Sequence, residues 1–99
     1  MGGRAAVLLR EKITDERGNL REMVVWRVPA SAHRPEGVRY RLALILAGDS
    51  TPAVLYDNHP PKGHHRHVGG VEAPYPFRGV EQLITDFLAD VARVIGAPP

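Results

Sequence analysis

The chain has 99 residues, of which 43% are hydrophobic and 24% charged, and it contains no cysteine. This length and balance predict one globular domain over residues 1–99 rather than a disordered or membrane protein. The absence of cysteine excludes disulfides, thiolate metal sites and thiol nucleophiles. The first apolar run closes at Arg10 and is too short for a signal-peptide core or a membrane span, so we expect a cytoplasmic protein.

The formal net charge is +2, and the charges are unevenly distributed. Three of the 11 acids but one of the 13 bases lie from Gly79 onward, which leaves 12 bases against 8 acids in the rest. This excess suits an anionic partner such as RNA, and a solvated basic surface explains it equally well. Because so short a chain buries a modest core, a partner chain, including a second copy in a homodimer, would add stability.

Two strands are predicted in the first third of the chain. The first runs from Arg4 to Ile13, with Val7 and Leu9 on the same side, although Leu8 interrupts the alternation. A polar turn separates it from the second strand, which runs from Leu20 to Val28 and alternates throughout. These two strands form the first predicted hairpin.

Two more strands follow a loop from Pro29 to Gly37 that is rich in proline. The third strand runs from Val38 to Ala47, with alternate apolar residues on one face and Arg39 and Arg41 on the other. The fourth is short, from Pro52 to Asp57. Whether the arginines line a basic sheet face depends on the strand register, which one sequence does not determine.

A helix is predicted at the end of the chain, where apolar residues recur from Val80 to Ile95 at helical spacing. Acidic residues come early, Arg93 comes late, and Gly96 is a plausible stop. Sequential strands joined by short turns and followed by a helix predict an α+β fold. We expect an antiparallel β-meander of about four strands with this C-terminal helix packed on one face.

The segment from Tyr56 to Gly70 concentrates four of the five histidines with one lysine and one arginine. Its glycines and prolines end the strand periodicity, so we expect a loop. Three interpretations compete for this segment.

The first interpretation is RNA cleavage without a metal, which needs a base, an acid and cations that stabilise the phosphorane. Histidine serves as acid or base near neutral pH, and His65 and His67 point to the same side of an extended chain. Lys62 and Arg66 would hold the phosphate, as a point charge and a fork respectively. Asp57 would orient a histidine.

The second interpretation is a divalent metal site, because imidazole is a common ligand of zinc and nickel. His65 and His67 would supply donors together with Asp57 or His59. The spacing is nonspecific, and the lysine and arginine beside these ligands would repel a cation.

The third interpretation is structural: a polar loop whose histidines bond to backbone or solvent, with glycines permitting tight turns. The same reasoning makes Trp26 a core or sheet residue in preference to a base-stacking platform. It also makes Glu72 a solvated loop charge, and Tyr75 and Phe77 anchors that pin the loop onto the core.

Four parts of the chain form a recognisable series: Tyr56-Asp57-Asn58, Lys62-Gly63-His64-His65-Arg66-His67, Pro74-Tyr75-Pro76-Phe77 and the helix from Leu83 to Val91. In these motifs and their order, the chain resembles the TumE family of bacterial toxin components. Upstream the resemblance extends over Arg10-Glu11-Lys12, Glu22 to Pro29 and Tyr40-Arg41-Leu42, and so covers nearly the whole chain.

The resemblance implies a small toxin of a type II toxin–antitoxin system, encoded beside a helix-turn-helix antitoxin, with ribonuclease activity as the usual supposition. The family motif falls on Lys62, Gly63, His65, Arg66 and His67. At His64 the chain departs from the acidic residue associated with that position, which weakens any scheme that needs a carboxylate there. The leading hypothesis is a ribonuclease that uses no cofactor. The alternative is a noncatalytic RNA-binding or regulatory module that partners a helix-turn-helix protein.

Overall fold

The structure is a computed structural model that describes residues 5–96 of the chain. Six strands form one antiparallel sheet in which neighbours in sequence are neighbours in space, and a helix follows them. The elements are β1 (Ala6–Thr14), β2 (Leu20–Arg27), β3 (Val38–Ile45), β4 (Val54–Asp57), β5 (His65–Val68), β6 (Val71–Pro74) and α1 (Val80–Ile95). The predicted α+β meander with a C-terminal helix is confirmed, but the sheet has six strands where about four were expected. Within residues 5–96, no helix is long and apolar enough to cross a bilayer.

β5 lies in the second half of the segment Tyr56 to Gly70, where a loop was predicted, so that prediction was wrong there. β6 follows directly and contains Glu72, which was also expected in a loop. Gly69 and Gly70 have φ angles of 57° and 83°, and a two-residue hairpin turn of this kind needs a positive φ at both positions. The turn folds β6 back onto β5, and β5 pairs with β4. Pairing with neighbouring strands therefore makes β5 and β6 extended, although their polar composition does not predict strands.

A β-bulge at Leu8 divides β1 into two registers. Val7 pairs with Trp26, whereas Leu9 pairs with Val25, so Val7 and Leu9 face opposite sides of the sheet. The prediction that they share a side was wrong, because the extra residue of a bulge shifts the alternation by one. Val7 is accordingly 45% exposed.

The core lies between α1 and one face of the sheet. The buried residues that form it come from alternate positions of β2, β3 and β4 and from one side of the helix: Met23, Val25, Val38, Tyr40, Leu42, Leu44, Val54, Tyr56, Leu83, Phe87 and Val91. Tyr75 is buried with them and Phe77 packs against them, which confirms that these two residues anchor the loop onto the core. Gly96 ends the helix in the left-handed conformation, as predicted.

The opposite face of the sheet, which we call the helix-free face, carries most of the residues of interest. Cross-strand pairing aligns one row over all six strands: Arg10, Val24, Arg41, Asp57, His65 and Pro74. The adjacent row contains Lys12, Glu22, Ala43, Leu55, His67 and Glu72. The register therefore brings a histidine pair, two carboxylates and a line of basic residues onto one surface.

Candidate functional site

Four of the five predicted site residues lie together at the β4–β5–β6 end of the helix-free face. Asp57 and His65 are direct partners across the β4–β5 pair, and His67 lies two residues along β5 on the same face. Lys62 reaches them from the turn between β4 and β5. With Glu72, they form a group that we call the histidine cluster.

His65 is held on both sides of its imidazole and is 8% exposed. Its Nδ1 lies 2.7 Å from the carbonyl oxygen of Gly63, which accepts a hydrogen and so assigns the Nδ1 proton. Its Nε2 lies 3.0 Å from Oδ1 of Asp57. Both ring nitrogens face acceptors, and both contacts are satisfied together when the ring is doubly protonated. A doubly protonated His65 therefore carries its second proton on Nε2, which points at Asp57.

His67 has a looser environment than its neighbour on the same face. Its Nε2 lies 3.6 Å from Oε1 of Glu72, beyond hydrogen-bond distance, and its ring centroid is 5.5 Å from that of His65. Lys62 donates a hydrogen bond of 2.5 Å to Oε1 of Glu72, and this contact lowers the pKa of the carboxyl group. Two imidazoles thus lie side by side with an ionised carboxylate and an ammonium group.

Arg66 lies on the other face of the sheet, away from the cluster. It is the cross-strand partner of Tyr56, and its Nη1 donates a hydrogen bond to the Tyr56 hydroxyl at 3.1 Å. It also pairs with the buried carboxylate of Asp90 on α1 at 3.3 Å. Burial, with the hydrogen bond to Asp90, raises the pKa of Tyr56 to about 12. The structure therefore does not bring Arg66 together with the other predicted residues.

The cluster also contains donors that suit a metal ion. One ligand atom each from His65, His67 and Glu72 lie within 4.8 Å of one another. Imidazole and carboxylate suit zinc or nickel, but Nζ of Lys62 occupies the same Glu72 oxygen and would repel a cation. Neither Asp57 nor His59, the third ligands expected from the sequence, belongs to this set.

His64, where the chain departs from the family motif, is a structural residue on the core side. Its Nδ1 lies 2.8 Å from the Tyr40 hydroxyl and its Nε2 lies 3.0 Å from Oε1 of Glu36. Its ring stacks on Phe77 at 4.6 Å between centroids. These contacts hold the start of β5, and with it His65, in place.

Asn58 anchors the other end of the same turn, and the sequence placed it in a family motif without indicating its role. It is 1% exposed, accepts a hydrogen bond from the backbone N–H of Tyr40 at 3.0 Å and donates one to the carbonyl of Val38 at 2.8 Å. A buried asparagine with two backbone partners substitutes for strand pairing where β4 ends. Its signal in the sequence was its position directly after the strand.

Glu72 was also underestimated, because the sequence interpretation made it a solvated loop charge. The signal that would have found it is the pair Gly69-Gly70 flanked by Val68 and Val71, which is a hairpin pattern. A two-residue turn there pairs His67 with Glu72 directly. The hairpin therefore adds the second carboxylate of the histidine cluster.

Three depressions connect the cluster with the middle of the helix-free face. The largest, with a volume of 440 Å³, reaches Asp57 and His59 from the arginines of β3. A second, of 290 Å³, contains Asp57 and His59 and continues to Lys62 and His65. The third, of 410 Å³, shares Lys62 and His65 and ends at Glu72. A continuous path therefore leads across the sheet to His65 and Glu72.

These observations define a small α+β domain with acid–base side chains clustered on an open, basic sheet face. Comparison with protein families identifies which class of protein this is. The family model described as Toxin TumE matches residues 4–95, so the chain belongs to the TumE toxin family. No curated protein and no solved structure matches the chain.

Proposed function

We propose that this toxin is a metal-independent ribonuclease in which His65 and His67 share the acid and base duties. The observation that carries the proposal is the contiguous group of two imidazoles, two carboxylates and one ammonium on the helix-free face. Strand-borne groups are held more rigidly than loop groups, which favours catalysis by positioning. The proposed site of action is the bacterial cytoplasm.

The roles of the two histidines follow from their surroundings. Because Nδ1 of His65 donates to Gly63, a protonated His65 carries its mobile proton on Nε2, beside Asp57. This arrangement suits a general acid whose protonated ring is stabilised by a carboxylate, with the leaving oxygen taking the place of Asp57 at Nε2 when the proton is transferred. His67 has no such close carboxylate contact and suits the general base.

The reaction would proceed by attack of the ribose 2′-hydroxyl on the adjacent phosphate. His67 takes the hydroxyl proton as the 2′-oxygen bonds to phosphorus, the bond from phosphorus to the 5′-oxygen breaks, and His65 gives its Nε2 proton to that oxygen. The products are a 2′,3′-cyclic phosphate and a 5′-hydroxyl. Protons exchanged with water then restore both histidines, and no cofactor is consumed.

Charge that develops on the phosphorane needs cations nearby. Lys62 is 58% exposed in its side chain and can move from Glu72 towards a phosphate. Arg41 lies in the same row as Asp57 and His65, one strand beyond Asp57. We assign the phosphate to these two residues, because Arg66 is engaged with Tyr56 and Asp90 on the opposite face.

Expression of the wild type and variants in a bacterial host tests this function. His67→Ala is expected to abolish growth arrest and RNA decay and to lower cleavage by purified protein by about 10²–10⁴-fold. His33→Ala is the matched control, because His33 is an exposed loop histidine outside the cluster. Circular dichroism checks that all three proteins fold. Intact RNA and normal growth with folded wild type would contradict the ribonuclease and favour the noncatalytic RNA-binding or regulatory module.

We further propose a helix-turn-helix antitoxin as the partner that covers the histidine cluster. The exposed ammonium of Lys62 supports this, because an acidic surface of the partner would neutralise it and exclude RNA. Lys62→Ala is expected to weaken capture of the antitoxin encoded beside the toxin. Arg66→Ala, on the other face, is expected to leave capture unchanged. Equal capture by wild type and Lys62→Ala, with the β4–β5 turn still open to protease in the complex, would contradict this docking surface.

A further inference from the structure

We infer that the helix-free face binds single-stranded RNA, with Trp26 as the base-stacking platform and the β3 arginines as phosphate ligands. The inference rests on the proposed ribonuclease function and names the route by which its substrate reaches the histidine cluster. The surface concerned is the 440 Å³ groove lined by Trp26, Arg34, Arg39, Arg41 and Asp57, which we call the arginine groove.

Trp26 is available to a ligand because it is not part of the core. The core uses Met23 and Val25 of the same strand, whereas Trp26 points to the face that the helix leaves uncovered and is half-buried there. An indole on an open sheet surface is the usual platform on which an unstacked base rests.

Positive charge surrounds this tryptophan. The guanidinium carbons of Arg10 and Arg39 lie 5.3 and 5.4 Å from the ring centroid, from the strands on either side. Exposed cation–π contacts of this kind are weak, at about 0.5–1 kcal/mol, so a base can displace a guanidinium from the ring. The displaced arginine then remains within reach of the phosphate attached to that base.

The groove contains further donors that the protein does not satisfy. Among residues 5–96, neither Arg39 nor Arg41 forms an ion pair within 4.0 Å. In the same range, the buried Nε of Arg34 has no hydrogen-bond partner. A concave surface with three arginines, two of them without an ion pair among residues 5–96, is complementary to a chain of phosphates.

The arginine groove also leads towards the histidine cluster. Arg41 pairs with Asp57 and Asp57 with His65, so the path from β3 to the catalytic pair crosses two strand spacings, about 10 Å. Trp26 lies one strand further away, opposite Arg39. A single strand that stacks one base on Trp26 can therefore present a phosphate further along its backbone to His65 and His67.

Binding and cleavage are tested separately, with the full chain. The binding probe is a single-stranded oligoribonucleotide carrying 2′-O-methyl groups, which cannot undergo the proposed attack. Trp26 is the sole tryptophan of the chain, so its fluorescence reports contact at this position alone. Fluorescence anisotropy of a labelled probe measures affinity, and unmodified RNA measures cleavage.

The variants are Trp26→Leu, Arg39→Gln and Arg41→Gln, with Arg27→Gln as the matched control. Arg27 is the exposed neighbour of Trp26 in β2, but it pairs with Val38 and faces the opposite side. We expect the probe to quench Trp26, and Trp26→Leu to weaken binding on the order of ten-fold. Each β3 variant should lower the slope of log affinity against log salt by about one. Arg27→Gln should bind as the wild type does.

The outcomes separate the inference from the function on which it rests. Cleavage that needs His67, with no quenching of Trp26 and unchanged affinity of all three variants, would overturn the proposed RNA binding in the arginine groove. The proposed ribonuclease function would still hold. Quenching of Trp26 and weakened binding by the variants, without cleavage by the wild type, would support RNA binding in the arginine groove and contradict the proposed ribonuclease function. Groove variants that lose the antitoxin but bind the probe normally would overturn the inference in favour of a protein partner.

Discussion

Arg66 faces Tyr56 directly across the β4–β5 pair and donates a hydrogen bond of 3.1 Å to its hydroxyl group. The same hydroxyl donates to the carboxylate of Asp90, which is 3% exposed and also pairs with Arg93. A buried carboxylate is tolerated when hydrogen bonds and a cation surround it. The contacts of Tyr56 and Arg66 with Asp90 therefore hold α1 against β4 and β5, and β5 also carries His65.

This relationship predicts that Arg66 affects stability more than catalysis. We expect Arg66→Met to lower the free energy of unfolding by about 1 kcal/mol, because the side chain is 40% exposed and water screens the ion pair. Cleavage per folded molecule should remain close to that of the wild type. Urea denaturation and steady-state kinetics check this prediction. A loss of cleavage with unchanged stability would contradict this prediction and show that Arg66 contributes to phosphate binding.

Asp57 is predicted to act through His65. Asp57→Asn preserves the shape of the side chain but removes the charge 3.0 Å from Nε2, so the imidazolium loses its orienting partner. We expect kcat to fall by about 10- to 100-fold with little change in KM. A purely structural role would instead lower the melting temperature and leave kcat unchanged, which thermal denaturation beside the kinetics would detect.

Asn58 is predicted to be one of the more costly positions to change. Asn58→Ala leaves the backbone N–H of Tyr40 and the carbonyl of Val38 without partners in a buried site, which should cost about 2–4 kcal/mol. Asn58→Asp keeps the acceptor for Tyr40 but cannot donate to Val38, so it should also destabilise the fold. Urea denaturation measures both variants. Near-wild-type stability of both would refute this account of the turn.

The acid sensitivity of the protein is predicted to depend on Tyr75 and Asp86. The Tyr75 hydroxyl donates a hydrogen bond of 2.6 Å to Asp86, and this bond lowers the pKa of that carboxyl below its ordinary value of 3.8. A carboxyl whose folded-state pKa is depressed stabilises the fold above its unfolded pKa, and this stability is lost as pH falls through the folded pKa.

We therefore expect wild type to lose more stability than Tyr75→Phe when the pH is lowered from neutral to below 3.8. The difference should be about 0.5–1 kcal/mol, because solvent screens part of this bond. Urea denaturation at both pH values provides the comparison, and the other acidic residues are common to both proteins. An identical pH dependence of the two proteins would show that the hydrogen bond contributes nothing to acid stability.

Metal independence is predicted from the ammonium of Lys62 beside Glu72. Treatment with a chelator should leave cleavage unchanged, and Lys62→Ala, which frees the Glu72 oxygen, should bind zinc more tightly than the wild type does. Calorimetric titration with zinc measures the second effect. Abolition of cleavage by the chelator, with recovery on adding zinc in wild type but not in Glu72→Gln, would establish the metal site instead.

The elements of this fold with strong local patterns were predictable from the sequence. Strands β2 and β3 alternate cleanly, and α1 has helical periodicity with a glycine stop, so a single sequence sufficed for them. The concentration of histidines also identified four of the five cluster residues. Where the pattern was weak, as in β5 and β6, the prediction failed, because four-residue polar strands exist only through pairing with their neighbours.

What the sequence determined by itself was the type of fold and the chemistry available to the site. The tertiary structure decided which side chains share a face. The pairing of β3 with β4 and of β4 with β5 aligns Arg41, Asp57 and His65 and sends Arg66 to the helix side. The bulge at Leu8 turns Val7 to the helix-free face, and the turn at Gly69-Gly70 brings Glu72 beside His67. Since alternate residues of a strand point in opposite directions, a shift of one residue exchanges the two faces. Composition therefore indicated which residue types the site contains, whereas only strand pairing determined which of them lie on the same face.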